Sequence, residues 1–197
     1  IDQSFQCMMP NDSEYWKLFY SKNNNDRRLL EPSLFCKFIL EHFKNSKNLN
    51  ILDAGCGTGR DAMELAKTHN VVGVDLIQHT DNQNFTFEKA DFCTFNKENF
   101  DVIYSRFTYH TISNVQQDIF LDSIKHKTIM CMEFRSDKSQ DISLHFGKTH
   151  FRNFINLEQF KNKINNRFEI IYLKEDKGFA PFGEEDPICI RTILRKK

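Results

Sequence analysis

The chain has 197 residues and a net charge of zero, because 27 Lys and Arg are matched by 27 Asp and Glu. This balance argues against a nucleic-acid groove, which normally carries a basic excess. No apolar run approaches the roughly 20 residues needed to cross a bilayer, and the sequence shows no signal peptide, so a cytoplasmic protein is expected. The length predicts one domain, 47–197, preceded by an N-terminal cap, 1–46. Because the first residue is Ile1, we expect a trimmed chain or part of a longer multidomain chain.

The six cysteines are scattered and form no Cys-x-x-Cys pair. This pattern favours buried free thiols in a reducing compartment over structural zinc. No other metal site is predicted, because His145 and His150 would need a third ligand that the sequence does not supply.

Two helices are predicted before the first strand. Asn11-Asp12-Ser13 caps a short helix on which Trp16, Phe19 and Tyr20 share one face, with Tyr15 off it. This aromatic stripe is expected to pack against the main domain. A second helix over 34–43 follows Pro32-Ser33, and it is too apolar to stand in solvent, so it packs on the sheet.

A glycine-rich turn follows the apolar pair Ile51-Leu52, in the run Asp53-Ala54-Gly55-Cys56-Gly57-Thr58-Gly59. Its glycines let the backbone approach a ligand closely, and a helix is predicted to begin near Thr58. The dinucleotide pattern G-x-G-x-x-G would place its third glycine at Arg60, which disfavours a pyrophosphate site. The run resembles the first motif of the class I S-adenosylmethionine-dependent methyltransferases, whose loop holds the amino-acid end of the cofactor.

The second part of this resemblance is Val71-Val72-Gly73-Val74-Asp75, a β-branched strand that ends in an acid about twenty residues after the loop. The resemblance implies that Asp75 binds the cofactor ribose, that Asp91 bonds the adenine amino group and that Phe92 packs on the ring. It also offers a second interpretation of the N-terminal aromatic stripe, as a lid over the cofactor. The implied cofactor is S-adenosylmethionine, and the cofactor-binding residues predicted are Asp53, Gly55, Gly57, Gly59, Asp75, Leu76, Asp91, Phe92 and Ser105.

The remaining apolar runs predict strands over 85–88, 100–105, 127–134, 168–173 and 188–194, and helices over 115–124 and 157–164. Residues 135–155 form a long polar insertion. This order suits a Rossmann-like α/β fold: a seven-stranded, mostly parallel sheet with an antiparallel last strand and helices on both faces.

Ligands of open α/β sheets bind beyond the carboxyl ends of the strands, and this rule selects the remaining candidates. Arg106, His110 and Glu133 are the predicted catalytic residues, with His110 as the base for a hydroxyl acceptor. An ordinary histidine at a helix start is the alternative for His110. No metal is called for.

The predicted substrate-binding residues are expected to recognise a polar or anionic group. Arginines can bind phosphate or carboxylate, and the connection 174–187 returns over the same face. The alternative for this connection is a solvated hairpin turn. The residues are Arg135, His150, Arg152, Phe182 and Glu185, with Phe179 and Glu184 beside them.

Two motifs that the sequence lacks narrow the chemical class of the methyl acceptor. After the fourth strand stands Tyr104-Ser105-Arg106-Phe107, so neither the Pro-Pro-Tyr motif of base-amino methyltransferases nor the Pro-Cys of cytosine-carbon enzymes is present. An oxygen, nitrogen or sulfur atom of a small polar molecule remains. No membrane partner is expected.

Four segments resemble methyltransferases of surface-polysaccharide gene clusters: Pro32-Ser33-Leu34-Phe35, the run from Tyr104 to His110, His150-Phe151-Arg152, and Glu185-Asp186-Pro187-Ile188 with Ile190-Arg191. This implies methyl transfer to a hydroxyl, or a phosphate or amine, of a sugar, sugar nucleotide or glycan. A catalytically inactive cofactor-binding partner subunit and an RNA or protein methyltransferase stay open as alternatives.

Overall fold

The computed structural model describes residues 10–23, 31–77, 85–139 and 151–197. Its helices are α1 (Pro10–Asn23), α2 (Leu34–His42), α3 (Arg60–Leu65), α4 (Asn114–Asp122) and α5 (Leu157–Ile164). Its strands are β1 (Asn50–Ala54), β2 (Asn70–Asp75), β3 (Thr86–Lys89), β4 (Val102–Arg106), β5 (Ile129–Arg135), β6 (Phe168–Asp176) and β7 (Cys189–Lys196). Short 3-10 helices cover Tyr109–Thr111 and Asp137–Ser139.

The seven strands of the described ranges form one sheet in the order β3-β2-β1-β4-β5-β7-β6. Strands β1 to β5 are parallel, and β7 is antiparallel to both β5 and β6. The predicted fold class is confirmed. Because β6 runs in the same direction as β1 to β5, the chain leaves β6 at the edge where the other parallel strands end.

Helices cover both faces of the sheet. Successive residues of a strand point to opposite sides, and the apolar side chains on each side pack against helices. Ile51 packs with Phe35 and Ile39 of α2 and with α3. The next residue, Leu52, packs on the other face with Phe120 of α4 and with α5. The predicted packing of α2 on the sheet is therefore confirmed, and the division at residue 46 stays a prediction.

Several predicted boundaries shift. Helix α3 begins at Arg60 instead of near Thr58, because Gly57 and Gly59 have φ of 54° and 75°, outside the helical region. Strand β5 begins at Ile129, since Lys127 has a positive φ of 70°. Strand β6 continues to Asp176, three residues beyond its predicted end, and pairs with β7 on both sides of a register shift between Ile170 and Tyr172.

Cys36, Cys56, Cys131 and Cys189 are free and buried, as predicted, and burial raises the pKa of each thiol. Cys93 is disulfide-bonded, so the prediction of a free thiol is wrong for this residue. None of the described helices is long and apolar enough to cross a membrane.

Candidate active site

A cavity of about 470 Å³ opens at the carboxyl ends of the parallel strands. The glycine loop and Asp75 form one part of its wall, and residues after β4 and β5 form another. Helix α1 and the loop after β6 close it from outside, through Trp16 and Phe19 and through Phe179 and Phe182. The sheet therefore brings widely separated segments of the sequence to one site.

The glycine loop is fixed by its neighbours at two points. Gly55 has a φ of 81°, and a Cβ atom there would lie 2.1 Å from Cγ2 of Thr108, so only glycine fits. The Gly57 amide donates a hydrogen bond to Oδ2 of Asp75 over 2.9 Å, and the Ile77 amide donates to Oδ1 over 3.1 Å. Asp75 thus holds the loop while it lines the cavity.

Three buried carboxylates lie in the cavity wall: Asp53, Asp61 and Asp75. Burial raises the pKa of Asp53 well above its usual range, and the neighbouring charges of Asp61 and Asp75 add to this rise. Burial also raises the pKa of Asp75, against backbone hydrogen bonds from Gly57, Ile77 and Leu76 that lower it. This part of the cavity is suited to a cationic ligand, which would offset the cost of burying several ionised acids.

Asp61 is a residue that the sequence analysis missed. Its carboxylate accepts hydrogen bonds from the backbone and hydroxyl of Ser33, over 2.8 and 2.7 Å, and from the Tyr104 hydroxyl over 2.6 Å. It therefore joins the start of α2 to the helix that follows the glycine loop. An acid in the first turn of a helix is usually a solvated residue, so no sequence signal distinguishes this one.

Other predicted cofactor residues lie outside the cavity lining. Phe92 is buried in the core, with its ring 5.2 Å from that of Phe120 in an edge-on contact. Oδ1 of Asp91 accepts a hydrogen bond from the Cys93 amide over 2.8 Å. Gly59, Leu76 and Ser105 do not line the cavity either, although the Ser105 hydroxyl is hydrogen-bonded to the Thr108 hydroxyl.

Glu133 is fully buried and does not line the cavity, although it was predicted as catalytic. Oε1 accepts a hydrogen bond from Nε of Arg106 over 3.0 Å, and Oε2 accepts two from Arg191, over 2.9 Å from Nε and 2.6 Å from Nη2. The strand register places these three residues side by side across β4, β5 and β7. Glu133 is therefore placed to position Arg106, which does line the cavity.

His110 lies in the cavity wall and is nearly completely buried. Its Nδ1 accepts a long hydrogen bond, 3.4 Å, from the Arg135 backbone amide. In the neutral ring this assigns the proton to Nε2, because a nitrogen that accepts a hydrogen bond carries no proton. A ring with its proton on Nε2 can donate a hydrogen bond from this atom. It could accept a proton at Nε2 only in the other tautomer, which carries its proton on Nδ1.

Arg135, Arg152 and Glu185 meet at the far end of the cavity, together with Phe182. Oε2 of Glu185 lies 3.7 Å from Nη2 of Arg135. Burial lowers the pKa of Arg152 to about 10, with a further lowering from the charge of Arg135. The structure brings these four predicted substrate residues together, whereas His150 and His145 lie outside the described residues.

The loop after β6 reaches the cavity through Phe179 and Phe182, while Glu184 is exposed and does not line it. Nη2 of Arg191 donates to the Phe179 carbonyl over 3.2 Å, and the guanidinium lies 4.2 Å from the centre of the Phe179 ring. These contacts favour a pocket wall over a solvated hairpin turn.

Helix α1 contributes Trp16 and Phe19 to the cavity wall, which favours the interpretation of this helix as a lid. Tyr15, predicted to lie off the aromatic face, packs 5.1 Å from Trp16 and 6.3 Å from Phe19, measured between ring centroids. Adjacent positions on a helix can join one aromatic cluster because the rings are large.

The family model described as "Methyltransferase domain" matches residues 26–165, more than half of the chain. No curated protein matches the sequence. Among solved structures, the chain is similar to 1,6-didemethyltoxoflavin-N1-methyltransferase of Burkholderia thailandensis, with 14% identity, a TM-score of 0.72 and coverage of 100% of this chain and 93% of the other. That enzyme was solved with 1,6-didemethyltoxoflavin and S-adenosylhomocysteine bound.

Two further structures share the fold. The N-methyltransferase NodS of Bradyrhizobium japonicum, solved with S-adenosylhomocysteine, is 14% identical with a TM-score of 0.67 and coverage of 92% of this chain and 98% of the other. A methyltransferase of Anabaena variabilis is 15% identical with a TM-score of 0.66 and coverage of 100% and 99%. At these identities the similarity establishes the fold.

Proposed function

The chain belongs to the methyltransferase-domain family and is an S-adenosylmethionine-dependent methyltransferase, and we propose that its acceptor is a small polar molecule: a hydroxyl, or a phosphate or amine, of a sugar, sugar nucleotide or glycan. The observation that supports this most is the polar far end of the cavity, where Arg135, Arg152 and Glu185 meet. The sugar class itself rests on the sequence segments that resemble polysaccharide methyltransferases.

The residues around the glycine loop fit this cofactor. Gly55 leaves a cradle that a Cβ atom would fill, and Asp53, Asp61 and Asp75 supply negative charge where a sulfonium and an ammonium group have to be bound. We propose that Asp75 binds the ribose, because a carboxylate has about four acceptor sites and the neighbouring backbone amides of Gly57, Ile77 and Leu76 do not use all of them. Bound S-adenosylmethionine supplies an activated methyl group.

At the acceptor end, we propose that Arg106 and His110 orient the acceptor. Arg106 is held in place by Glu133, and its guanidinium lies 4.3 Å from the ring centre of Phe107, a residue with a φ of 59°. His110 donates from Nε2 to the acceptor oxygen, so the proton lost by a hydroxyl acceptor passes to solvent and not to this ring in its assigned tautomer. Positioning of the acceptor is then the main contribution of the protein.

We also propose a lid over the cavity and a cellular compartment in which the protein acts. Helix α1 and the loop after β6 would close the cavity around the acceptor, supported by the four aromatic side chains that they place in its wall. The four buried free thiols support a cytoplasmic site of action, and the Cys93 disulfide is the observation against it.

A transfer assay with methyl-labelled S-adenosylmethionine tests the acceptor class. The panel contains nucleotide sugars, sugar phosphates, neutral sugars, planar heteroaromatic amines and RNA. We expect label in a sugar-containing acceptor, and no label from an Arg135→Met variant, whereas Arg195→Met, at an exposed arginine on β7, keeps wild-type activity. Label only in the heteroaromatic amines or RNA would contradict the proposed acceptor class.

A further inference from the structure

The pairing of Arg135 is incomplete. Its side chain is only 10% exposed, and its one ion pair of the described region, with Glu185, spans 3.7 Å from Nη2. Within the ranges that the structure describes, Nη1 of Arg135 has no hydrogen-bond partner. A buried guanidinium donor without a partner is costly, and the paired oxygens of a carboxylate or a phosphate match two of its nitrogens at once.

Among the described residues, the charged side chains at this end of the cavity carry an excess of positive charge. Arg152 lies close enough to Arg135 and Glu185 for their charges to act on its pKa, so within the described ranges one carboxylate faces two guanidinium groups. The other two arginines of the wall are already paired, Arg106 with the buried carboxylate of Glu133 and Arg60 with Asp61. Burial lowers the pKa of Arg135, which shows that its present neighbours do not fully compensate its desolvation.

Glu185 lies in a short turn outside the strands of the sheet. Phe182 and Glu185 close the turn by exchanging backbone hydrogen bonds of 2.8 and 3.1 Å. Gly178 precedes it with a φ of 74° and nothing within 4 Å of where a Cβ would be, and Gly183 inside it has a φ of 61°. Because Glu185 takes no part in the strand pairing, moving its carboxylate away from Arg135 breaks no hydrogen bond of the sheet.

We propose that Arg135, with Arg152 beside it, binds an anionic group of the acceptor, a phosphate or a carboxylate, and that Glu185 competes with this group for the same guanidinium. The inference rests on the proposed function in taking this end of the cavity as the acceptor site. In this role Glu185 does not bind sugar hydroxyls or amines. Its negative charge excludes anions that bind Arg135 weakly, and an anion that binds Arg135 strongly displaces it.

The sign of one mutational effect separates the two roles. If Glu185 competes for Arg135, the substitution Glu185→Gln strengthens anion binding, because a neutral amide no longer pairs with the guanidinium. If Glu185 recognises the acceptor directly, the same substitution leaves anion binding unchanged. Glu184→Gln is the matched control, since it removes the same charge from an exposed neighbour in the same turn.

The experiment titrates the S-adenosylhomocysteine-saturated protein with inorganic phosphate, and separately with acetate, and follows the fluorescence of Trp16, the only tryptophan and a residue of the cavity wall. We expect Glu185→Gln to lower the dissociation constant of one anion roughly tenfold, Glu184→Gln to change it less than about twofold, and Arg135→Met to abolish binding. Binding of phosphate but not acetate identifies the anionic group as a phosphate, and binding of acetate but not phosphate identifies it as a carboxylate.

Unchanged or weaker anion binding in Glu185→Gln would overturn the proposal, as would equal gains in both Glu variants, which would indicate a general charge effect. Thermal unfolding of each variant shows that it is folded. The outcome is independent of the sugar panel: transfer to neutral sugars without any anion effect would refute this inference alone, and an anion effect without sugar methylation would refute the sugar class alone.

Discussion

Replacing Glu133 by Gln tests whether the row Arg106–Glu133–Arg191 stabilises the molecule as the structure indicates. The substitution keeps the shape of the side chain but removes its charge. Glu133 is 0% exposed, and its carboxylate accepts hydrogen bonds from both arginines. In the variant, two largely buried guanidinium groups lose their common counter-charge, while an amide oxygen can replace only part of the hydrogen bonding.

The expected loss is large because the pair is buried. Removing one partner of a buried ion pair costs about 3–5 kcal/mol of unfolding free energy, a substantial share of the roughly 5–15 kcal/mol that stabilises a typical domain. The matched control is Glu169→Gln. Its carboxylate lies 3.0 Å from Nη1 of Arg195 but is 57% exposed, so its loss costs under about 1 kcal/mol.

Urea denaturation of the wild type, of the Glu133→Gln, Glu169→Gln and Arg191→Met variants, and of a Glu133→Gln/Arg191→Met double variant measures these free energies. We expect Arg191→Met to cost clearly less in the Glu133→Gln background than in the wild type, because the two residues share one interaction. A loss below about 1 kcal/mol for Glu133→Gln, or additive effects of the two substitutions, would refute the reasoning.

Two further predictions concern the lid and a buried lysine. Replacing residues 178–183 by two glycines should lower turnover at least tenfold, since the loop borders the acceptor end. The dissociation constant of S-adenosylhomocysteine should change less than about twofold. Equal losses of turnover and of S-adenosylhomocysteine affinity would contradict this prediction. Burial lowers the pKa of Lys97 from 10.5 to about 8, so the folded chain binds fewer protons than the unfolded chain between these values. Stability should therefore rise with pH across that window, by at most about 3 kcal/mol, and Lys97→Met should remove the rise in urea titrations; an unaltered pH dependence would show that Lys97 is not its source.

Local sequence signals predicted the sheet well. Short β-branched runs such as Val71-Val72 favour buried strands when turn residues bound them. The glycine loop and Asp75 were found because both lie at fixed distances from a strand. The boundaries failed where a single backbone angle decides them, as at Lys127 and Gly59, whose positive φ values come from the surrounding structure.

The acceptor end was predictable only in part. The rule that ligands bind at strand ends selected Arg106, Glu133 and Arg135 together, but it does not show which of them faces the cavity. That depends on the register between β5 and β7, which brings Arg191 opposite Glu133 from a distant part of the sequence. Asp61 was missed for the same reason, because its partners Ser33 and Tyr104 are neighbours only in the folded chain.

The most direct test of the central claim is a calorimetric titration of the wild type and an Asp75→Asn variant with S-adenosylhomocysteine, with NADH as the control ligand. The isosteric amide retains one acceptor for the Gly57 amide and removes the charge that we assign to ribose binding. We predict that S-adenosylhomocysteine binds the wild type, that NADH gives no heat, and that the variant loses about 1–3 kcal/mol of binding free energy. Equal binding by the variant and the wild type, or binding of NADH in place of S-adenosylhomocysteine, would contradict the account.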